Sequence, residues 1–452
     1  MAIPAMRMVA EVDPNFYIYI CFGQSNMEGN AQPETVDKSN IDSRFRLLAT
    51  CNFTNPSRTM GKWYKAIPPL VSPNGGLGPT DYFGRTMCEV LPKDVRIGVI
   101  PVAMGGSPIE MFDKDKYQKK MKDNPNEWWA ILATNHYGGN PYGRIIEMAK
   151  KAQEVGVIKG ILLHQGCTNN GDPNWPNMVK KIYNDMLTDL GLGTDTVPLF
   201  VGETLRQDQG GVCWGHNEQV ARMPSVVKNS YVVSSEGCPG NGQDPWHFNA
   251  YGYRKLGSRY AAEGLYTLGT LAPYFSFHDY DIMLNANSTY VEKTRTLTAK
   301  AGGVGLATWL YPHFADWSSS KYLVVKLKET ADSWAEVLLY GPNKSIAYRD
   351  TINGRTTVVI DLHNLKYKQT VMSPSKVYKM GFRWPKDTKM VIDDVFLSDD
   401  EEYGSILTAI RNVNTDNCPS RAPIYSLDGR LANPESLKKG VYISNGKKIL
   451  VK

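Results

Sequence analysis

A serine, a histidine and an aspartate occur in patterns that suit nucleophilic chemistry. Ser25 lies in Gly23-Gln24-Ser25-Asn26-Met27, and the other two lie in Asp244-Pro245-Trp246-His247. A serine hydroxyl becomes a good nucleophile when a base takes its proton, and the usual base is a histidine oriented by a carboxylate. Two residues separate Asp244 from His247, so one turn of chain can bring the carboxylate to the far nitrogen of the imidazole. These residues predict a Ser-His-Asp site.

The position of Ser25 depends on the element before it. Residues Phe16 to Phe22 form an unbroken aromatic and β-branched run, which predicts a short buried strand, and Gly23 permits a tight turn after it. Open α/β sheets bind ligands outside the carboxyl ends of their strands. Asp244 and His247 follow the last predicted strand of the same sheet, so we expect them at the same edge as Ser25.

Strands alternate with helical patterns over the first 272 residues. The predicted strands are Phe16–Phe22, Val95–Val102, Ile158–His164, Val197–Gly202 and Tyr231–Ser234. Helix starts are predicted at Thr80 or Asp81, at Asn140-Pro141 and at Asn249. Alternation of this kind implies right-handed crossovers and a parallel sheet covered on both faces. The fold class is therefore α/β, a flavodoxin-like three-layer sandwich with a five-stranded parallel sheet.

Acyl transfer also requires donors for the oxyanion that forms on the carbonyl oxygen. Gly105 follows the second predicted strand, and its N–H is one candidate; the N–H of Ser25 is another. Gln165 follows the third strand and offers a side-chain amide. Each of the last two has an ordinary alternative: a plain turn for Gly105-Gly106, and a helix cap or a loop contact for Gln165.

These blocks occur in a familiar order. Gly-Gln-Ser-Asn-Met, the Gly105 loop, His164-Gln165-Gly166 and Asp244-x-x-His247 follow one another as in the SGNH hydrolases, in the branch of carbohydrate esterase family 6 acetylxylan esterases and sialate O-acetylesterases. Residues 1 to about 271 resemble their catalytic domain. The resemblance implies a serine esterase that removes O-acetyl groups from carbohydrate without a metal or organic cofactor. It implies Ser25 as nucleophile, His247 as base, Asp244 as its partner, and Ser25, Gly105 and Gln165 as the oxyanion hole.

The third block departs from that family pattern. Relatives usually continue Gln-Gly-Glu-Ser, whereas this chain has Gln165-Gly166-Cys167-Thr168. If the missing glutamate supports the site in relatives, another carboxylate such as Glu110 would have to replace it here. Cys167 is not expected to be a nucleophile, because the sequence places no base for it.

Composition excludes several other classes. The chain has 452 residues, a net charge of +6, 42% hydrophobic and 21% charged residues, which fits a globular protein of two or three domains. Its basic residues are spread out, so nucleic acid is not an expected partner, and no apolar stretch is long enough to span a membrane. The first ten residues are too short and too weakly apolar for a signal peptide.

Cysteine spacing gives a second set of expectations. None of the seven cysteines forms a C-x-x-C pair, so no zinc site is expected. Cys21 and Cys88 lie in apolar patterns and are expected to be core thiols. Cys213 and Cys238 both lie in glycine-rich loops and could be bridged if the protein is exported.

The pattern changes near Pro273. Residues 273–400 contain strand-like segments separated by turn residues, which predicts an all-β sandwich, and residues 401–452 read as a short C-terminal β segment with hairpin turns at Asp428-Gly429 and Asn445-Gly446. The sandwich either braces the catalytic domain or binds glycan through exposed aromatics. The candidate aromatics are Trp309, Tyr311, Trp317 and Trp334. The final stretch is similar to C-terminal tails of exported Bacteroidetes-type proteins, which suggests a secreted, periplasmic or cell-surface location.

Three functions follow from the sequence. The first is a deacetylase of plant polysaccharide, with acetylated xylan or xylo-oligosaccharide as substrate. The second is a sialate O-acetylesterase, and acetate release from the two substrates would separate them. The third, from another class, is a non-catalytic glycan-binding protein, against which the intact Ser25, Asp244 and His247 argue. A lipase-like enzyme is disfavoured because nothing resembles an apolar lid.

Overall fold

The computed structural model describes residues 12–269, 276–330, 334–414, 424–426, 431–432, 440–444 and 447–451. These residues fall into two compact units. The first lies within Met1–Met283 and Leu310–His313, and the second within Leu284–Trp309 and Phe314–Lys452. The three-part division at residues 272 and 400 stays a prediction.

The first unit is built on a seven-stranded sheet with the order β3-β2-β4-β1-β5-β6-β7. Every neighbouring pair is parallel except β2 with β3. The strands are β1 (Phe16–Gly23), β2 (Phe45–Leu48), β3 (Trp63–Lys65), β4 (Arg96–Ala103), β5 (Val157–His164), β6 (Leu199–Gly202) and β7 (Ser230–Val233). All five predicted strands are present, and they follow the 2-1-3-4-5 order of flavodoxin-like folds.

The prediction of only five strands was wrong. The two additional strands, β2 and β3, lie at one side of the sheet and contain four and three residues. Strands this short carry too little alternation to stand out in a polar stretch of sequence. They lie beyond β4, so neither of them is a neighbour of β1, the strand that leads to Ser25.

Strand β1 is central, and this explains its composition. It pairs with β4 on one side and β5 on the other, from Phe16 opposite Arg96 to Gly23 opposite Ala103 and His164. All of its residues except Tyr17 are buried. Its side chains alternate between two cores, since Ile18, Ile20 and Phe22 join one and Tyr19 and Cys21 the other. A strand covered on both faces requires the continuous apolar run seen in the sequence.

Helices cover both faces of this sheet. They are α1 (Ser25–Glu28), α2 (Thr35–Lys38), α3 (Pro79–Val90), α4 (Tyr117–Asp123), α5 (Trp128–Tyr137), α6 (Pro141–Gln153), α7 (Trp175–Asp189), α8 (Asn217–Ala221), α9 (Met223–Val226) and α10 (Ala250–Thr267). Buried residues of α3 and α10 belong to one core, and those of α5, α6 and α7 to the other. Across the described part of the chain, no helix has the length and apolarity that a bilayer span requires.

The predicted caps are confirmed for two of three helices. Asn140 accepts a hydrogen bond from the N–H of Gly143 at the start of α6, and Asn249 does the same for Gly252 at the start of α10. The N-cap of α3 was predicted at Thr80 or Asp81, two or three residues too late, since the N-cap is Gly78. This helix begins at Pro79, because the fixed φ of proline suits the first helical position.

The remaining strands of the described chain form two five-stranded sheets, ordered β15-β12-β19-β10-β9 and β14-β13-β18-β11-β8, with a small β16-β17 pair and a C-terminal sheet ordered β21-β20-β22-β23. The strands are β8 (Ile282–Leu284), β9 (Ser288–Val291), β10 (Thr296–Ala299), β11 (Gly305–Ala315), β12 (Tyr322–Glu329), β13 (Glu336–Tyr340), β14 (Ile346–Thr351), β15 (Thr357–Asp361), β16 (Lys366–Tyr367), β17 (Thr370–Val371), β18 (Val377–Trp384), β19 (Lys389–Ser398), β20 (Ile424–Ser426), β21 (Leu431–Ala432), β22 (Gly440–Ser444) and β23 (Lys447–Val451).

The C-terminal segment is not purely β. A helix, α11 (Glu401–Asn414), occupies its beginning, where Asp400 accepts a hydrogen bond from the N–H of Glu402 and two glutamates lie in the first turn. These are helix-start features that the prediction overlooked. The turns Asp428-Gly429 and Asn445-Gly446 lie outside the described residues.

Two of the aromatics proposed to contact glycan from the sandwich are core residues. Trp309 and Trp317 are buried, so they are not available on the surface. The side chain of Tyr311 lies outside the described residues. Trp334 is exposed, and the guanidinium of Arg383 lies 5.0 Å from the centroid of its ring.

Of the two expectations about cysteines, one is confirmed and the other is not. Cys21 and Cys88 are buried core thiols, as predicted. The bridge between Cys213 and Cys238 is not formed, and all six cysteines in the described part of the chain are free. The two thiols have different neighbours, because Cys213 Sγ contacts the carbonyl of Cys167 at 4.0 Å and Cys238 Sγ lies 3.5 Å from Arg259 Nη1.

Candidate active site

The turn after β1 brings Ser25 to the carboxyl edge of the sheet. Gly23 packs so closely on β5 that a Cβ there would lie 2.1 Å from the carbonyl oxygen of His164. The next residue, Gln24, donates its N–H to that same oxygen, and its side-chain oxygen accepts from the N–H of Gly166 at 3.0 Å. The turn is therefore fixed to the end of β5, and α1 begins at Ser25.

The structure brings Ser25, His247 and Asp244 into one hydrogen-bonded series. His247 Nε2 lies 2.8 Å from Ser25 Oγ, and His247 Nδ1 lies 2.9 Å from Asp244 Oδ2. The serine and the histidine are 222 positions apart in sequence. This geometry allows the imidazole to take the hydroxyl proton while the carboxylate orients the ring.

Asp244 is held in a loop that supplies four donors to its carboxylate. Oδ1 accepts from the N–H groups of Trp246 and His247 at 2.8 and 3.0 Å, and Oδ2 accepts from Asn241 Nδ2 at 2.8 Å as well as from His247. Partial burial alone would raise the pKa of Asp244, but these hydrogen bonds outweigh it and lower the pKa to about 2. The carboxylate is thus ionised at any pH at which a histidine base works.

Asn26 joins the serine turn to the histidine loop. Its Nδ2 donates to the carbonyl of Trp246 at 3.0 Å, and its Oδ1 accepts from the hydroxyl of Tyr253, in α10, at 2.7 Å. Asn26 and Tyr253 are both fully buried. The sequence motif contained Asn26, but only the fold shows that it fixes Ser25 relative to His247.

The three predicted oxyanion donors are in different situations. The N–H of Ser25 is at the first position of α1, where helical N–H groups have no partner within the helix. The N–H of Gly105 lies in the pocket but donates to Glu28 Oε2 at 2.7 Å. The amide of Gln165 donates to Ser107 O and Asn169 Oδ1, and its oxygen accepts from Trp175. In this arrangement Gln165 holds loops together, the alternative left open from sequence.

Gly106 is a donor that the sequence reasoning treated only as part of a turn. It lines the pocket, has a φ of 75°, and within the described chain no acceptor is found for its N–H. Such a conformation is readily adopted by glycine and by few other residues. The Gly-Gly pair could have suggested a second N–H of this kind.

Glu28 is the carboxylate inside the site. Its side chain is buried and accepts from Ser72 Oγ and from Gly105 N–H, both at 2.7 Å. Burial raises the pKa of Glu28, and the two hydrogen bonds only partly offset that effect. Glu110 does not line the pocket; it pairs with Lys120 at 2.9 Å and accepts from Asn169 Nδ2 at 3.2 Å, so its replacement of the missing glutamate stays a prediction. A glutamate three residues after the serine was the available sequence signal.

Ser25 and His247 open onto a pocket of about 530 Å³, a size typical of small-molecule sites. Of the described residues, thirteen line it, and none of them is Lys or Arg. Glu28 is the one carboxylate among these described lining residues. Two tryptophans at its border, Trp128 and Trp246, are exposed to 56% and 46%.

Cys167 also lines this pocket, close to Cys213. Hydrogen bonding with the Cys213 thiol, together with burial, raises the pKa of Cys167. A thiol that stays protonated is a poor nucleophile. The expectation that Cys167 is not the nucleophile agrees with this environment.

One acidic cluster has the spacing of metal ligands. Asp113, Asp115 and Asp185 lie close together, away from the pocket. The ammonium of Lys181 lies 2.8, 2.6 and 2.8 Å from their carboxylates. Lys114 and Lys116 also pair with Asp185 and Asp113, at 3.4 and 3.8 Å, so cations of the chain balance this cluster and we assign it no metal.

A parallel α/β sheet that carries a hydrogen-bonded serine, histidine and aspartate at its carboxyl edge is an arrangement of serine hydrolases. The sequence model of a family of carbohydrate esterases, described as sialic acid-specific acetylesterase, matches residues 15–265. This match covers more than half of the chain, and the chain belongs to that family. The protein is a carbohydrate O-acetylesterase.

Solved structures with similar folds were also found, at low sequence identity. A protein from Arabidopsis thaliana is 20% identical, with 56% of this chain and 99% of that one covered and a TM-score of 0.41. XAC1771, a carbohydrate acetylesterase from Xanthomonas citri, is 15% identical, with 84% and 79% covered and a TM-score of 0.40. NanS is 15% identical, with 57% and 100% covered and a TM-score of 0.40. Similarity at this level transfers no residue role or substrate.

Proposed function

We propose that the protein removes O-acetyl groups from a neutral polysaccharide or oligosaccharide, such as acetylated xylan, through an acetyl-enzyme on Ser25. The observation that carries this proposal is the series Ser25 Oγ, His247, Asp244, with separations of 2.8 and 2.9 Å, at the border of an open pocket. Family membership supplies the acetylated carbohydrate as the class of substrate.

The proposed reaction has two halves. His247 Nε2 takes the proton of Ser25 Oγ as that oxygen bonds to the acetyl carbon, and the imidazolium then gives the proton to the sugar oxygen as the ester C–O bond breaks. In the second half, His247 takes a proton from water, the hydroxide attacks the acetyl-serine, and the proton returns to Ser25 Oγ as acetate leaves. Asp244 stays ionised and stabilises the imidazolium in both halves.

The oxyanion is proposed to bind at the N-terminus of α1 and at the Gly105-Gly106 turn. The N–H of Ser25 is available there, and the N–H of Gly106 is the second donor that we favour. Gly105 can contribute only if its bond to Glu28 opens. Gln165 is not assigned a role at the oxyanion, because both of its N–H groups already have acceptors.

The charge of the pocket favours a neutral sugar. A sialic acid carries a carboxylate, and burying it requires a cationic or donor-rich partner. The described residues that line the pocket include no Lys or Arg. A sialate would therefore meet no counter-charge there. The description of the family keeps sialate O-acetylesterase as the second candidate.

The test is a panel of acetate-release assays with wild type and Ser25→Ala. Acetylated xylo-oligosaccharide, an O-acetylated sialic acid and a small chromogenic acetate ester are the three substrates. We expect release from the xylo-oligosaccharide, little from the sialate, and none above background from Ser25→Ala. Faster release from the sialate would favour the second candidate, and release by the variant would exclude Ser25 as the nucleophile. A wild type inactive on all three would point to a non-catalytic glycan-binding protein.

A polymer substrate bears on location. Polysaccharides do not cross a bacterial inner membrane, so we propose that the enzyme acts outside it, as the similarity of the C-terminal stretch to tails of exported proteins suggests. Detection of the protein in the extracellular or periplasmic fraction of its natural host would support this, and exclusive recovery from the cytosol would contradict it.

A further inference from the structure

We infer that Trp128 and Trp246 are binding subsites for the sugar units next to the acetylated one, so that the enzyme prefers acetylated oligomers to acetylated monosaccharides. This inference rests on the proposed function of the Ser25 site. It concerns the border of the pocket, which the proposed reaction steps leave unused.

The two tryptophans border the pocket next to different parts of the reacting group. A Cβ placed on Gly105 would lie 3.6 Å from Trp128 Nε1 and 3.8 Å from Ser25 Cβ, so Trp128 lies on the Gly105 side of the serine. Trp246 precedes His247, and the centroids of their rings are 6.5 Å apart. A sugar whose ester reaches Ser25 therefore has an indole near it on the oxyanion side and another on the base side.

Both tryptophans are exposed but stand on fixed backbone. The backbone N–H of Trp246 donates to Asp244 Oδ1 at 2.8 Å, and its backbone carbonyl accepts from Asn26 Nδ2 at 3.0 Å. Trp128 begins α5, in which the next residue, Trp129, is buried in the core. Half-exposed indoles are large apolar surfaces that cost free energy in water when nothing covers them. Here they are held in place at the one open pocket that contains the serine.

The chemistry of the indole selects the occupant. An aromatic face packs against the axial C–H groups of a pyranose ring, and burial of a tryptophan is among the larger single contributions to binding. The absence of Lys and Arg among the described lining residues argues against an anionic ligand at the same border. A chain of neutral sugars, with one unit at each indole and the acetylated unit at Ser25, satisfies both observations.

The experiment compares Trp128→Ala, Trp246→Ala and Trp246→Tyr with a matched control, Trp214→Ala. Trp214 is 45% exposed, as Trp246 is, but does not line the pocket. Each protein is assayed on an acetylated xylo-oligosaccharide, on acetylated xylose and on the small chromogenic acetate ester. We expect each alanine variant at the pocket to lose roughly tenfold more kcat/KM on the oligosaccharide than on the small ester, chiefly through KM. Trp246→Tyr should recover most of this loss, and Trp214→Ala should show none.

Binding to an inactive enzyme separates recognition from chemistry. In the Ser25→Ala background, Trp128→Ala should raise the Kd for the acetylated oligosaccharide roughly tenfold, measured by calorimetry. Suppose that wild type deacetylates the oligosaccharide and that both alanine variants show the same ratio of oligosaccharide to small-ester turnover, and the same Kd, as the protein with both tryptophans. The inference is then overturned and the proposed function stands. If wild type releases acetate no faster than Ser25→Ala does, the proposed function itself has failed. A Trp246→Ala protein that loses all small-ester turnover is replaced in the comparison by Trp246→Tyr and Trp128→Ala.

Discussion

Replacing Asp244 with asparagine is expected to lower kcat by roughly 10⁴-fold, through the tautomer of His247 and not through its position. Asn places an NH₂ group where one carboxylate oxygen was. Oδ1 accepts hydrogen bonds from the backbone N–H groups of Trp246 and His247, and these two donors are fixed in orientation. Oδ2 faces one fixed donor, Asn241 Nδ2, and the imidazole, which can change its tautomer. The NH₂ group is therefore expected to take the place of Oδ2.

The consequence is transmitted to the serine. An Asn NH₂ donates to His247 Nδ1, which must then be the unprotonated nitrogen, so the ring proton moves to Nε2. That atom lies 2.8 Å from Ser25 Oγ, and a protonated Nε2 cannot accept the hydroxyl proton. A loss of roughly 10⁴-fold corresponds to about 5 kcal/mol in the activation free energy. Turnover of the small chromogenic acetate ester measures the loss, and nitrogen NMR of the imidazole reports which ring nitrogen carries the proton.

Two controls and a stability measurement accompany this variant. Asn241→Ala removes one donor to Asp244 but leaves the tautomer, so its loss should stay below roughly tenfold; the exposed Asp208→Asn should be silent. Because the folded-state pKa of Asp244 is lowered to about 2, the ionised side chain contributes about 2 kcal/mol of stability above the usual pKa of an aspartate. That contribution disappears as the pH falls through about 2. An Asp244→Asn enzyme within tenfold of wild type would refute the role assigned to the carboxylate.

Three further variants test other parts of the site. Burial raises the pKa of Glu28, so its ionisation costs stability as the pH rises above the usual glutamate range. Glu28→Gln should therefore have a higher melting temperature than wild type at pH 8 but not at pH 4. An equal change at both pH values would contradict this. Tyr253→Phe leaves Asn26 Oδ1 without its donor and should cost about 1–3 kcal/mol in chemical unfolding, whereas an unchanged midpoint would show that the bond is dispensable. Iodoacetamide at pH 7 should not inactivate wild type, and Cys167→Ser should keep activity within a few-fold; rapid inactivation would show that the thiol is ionised.

The sequence predicted the centre of the sheet better than its border. Strand β1 was visible because a central parallel strand is buried on both faces and must be apolar throughout. Strand β3 has three residues at the border of the sheet, none of them fully buried, and leaves no such pattern. Asn140 and Asn249 were found as caps because capping is local, decided by residues within one turn.

The same division separates the parts of the site. Ser25, Asp244 and His247 were nominated by motif and by their position after strands, and the structure brings them together. The partners of Gly105 and Gln165 were not foreseeable, since Glu28 and Trp175 reach them from other elements and the choice of a hydrogen-bond partner depends on packing in three dimensions. Spacing can nominate a donor, but it cannot show whether another acceptor already holds it.

Glu28 and Asp244 show how one site shifts the pKa values of two carboxyl groups in opposite directions. Asp244 is partly exposed and receives four hydrogen bonds, so its charged form is favoured. Glu28 receives two and is buried, and burial raises its pKa. Both directions suit the proposed reaction. A negative charge at Asp244 stabilises the imidazolium, whereas a negative charge at Glu28, bonded to the Gly105 turn, would oppose the oxyanion that forms beside it.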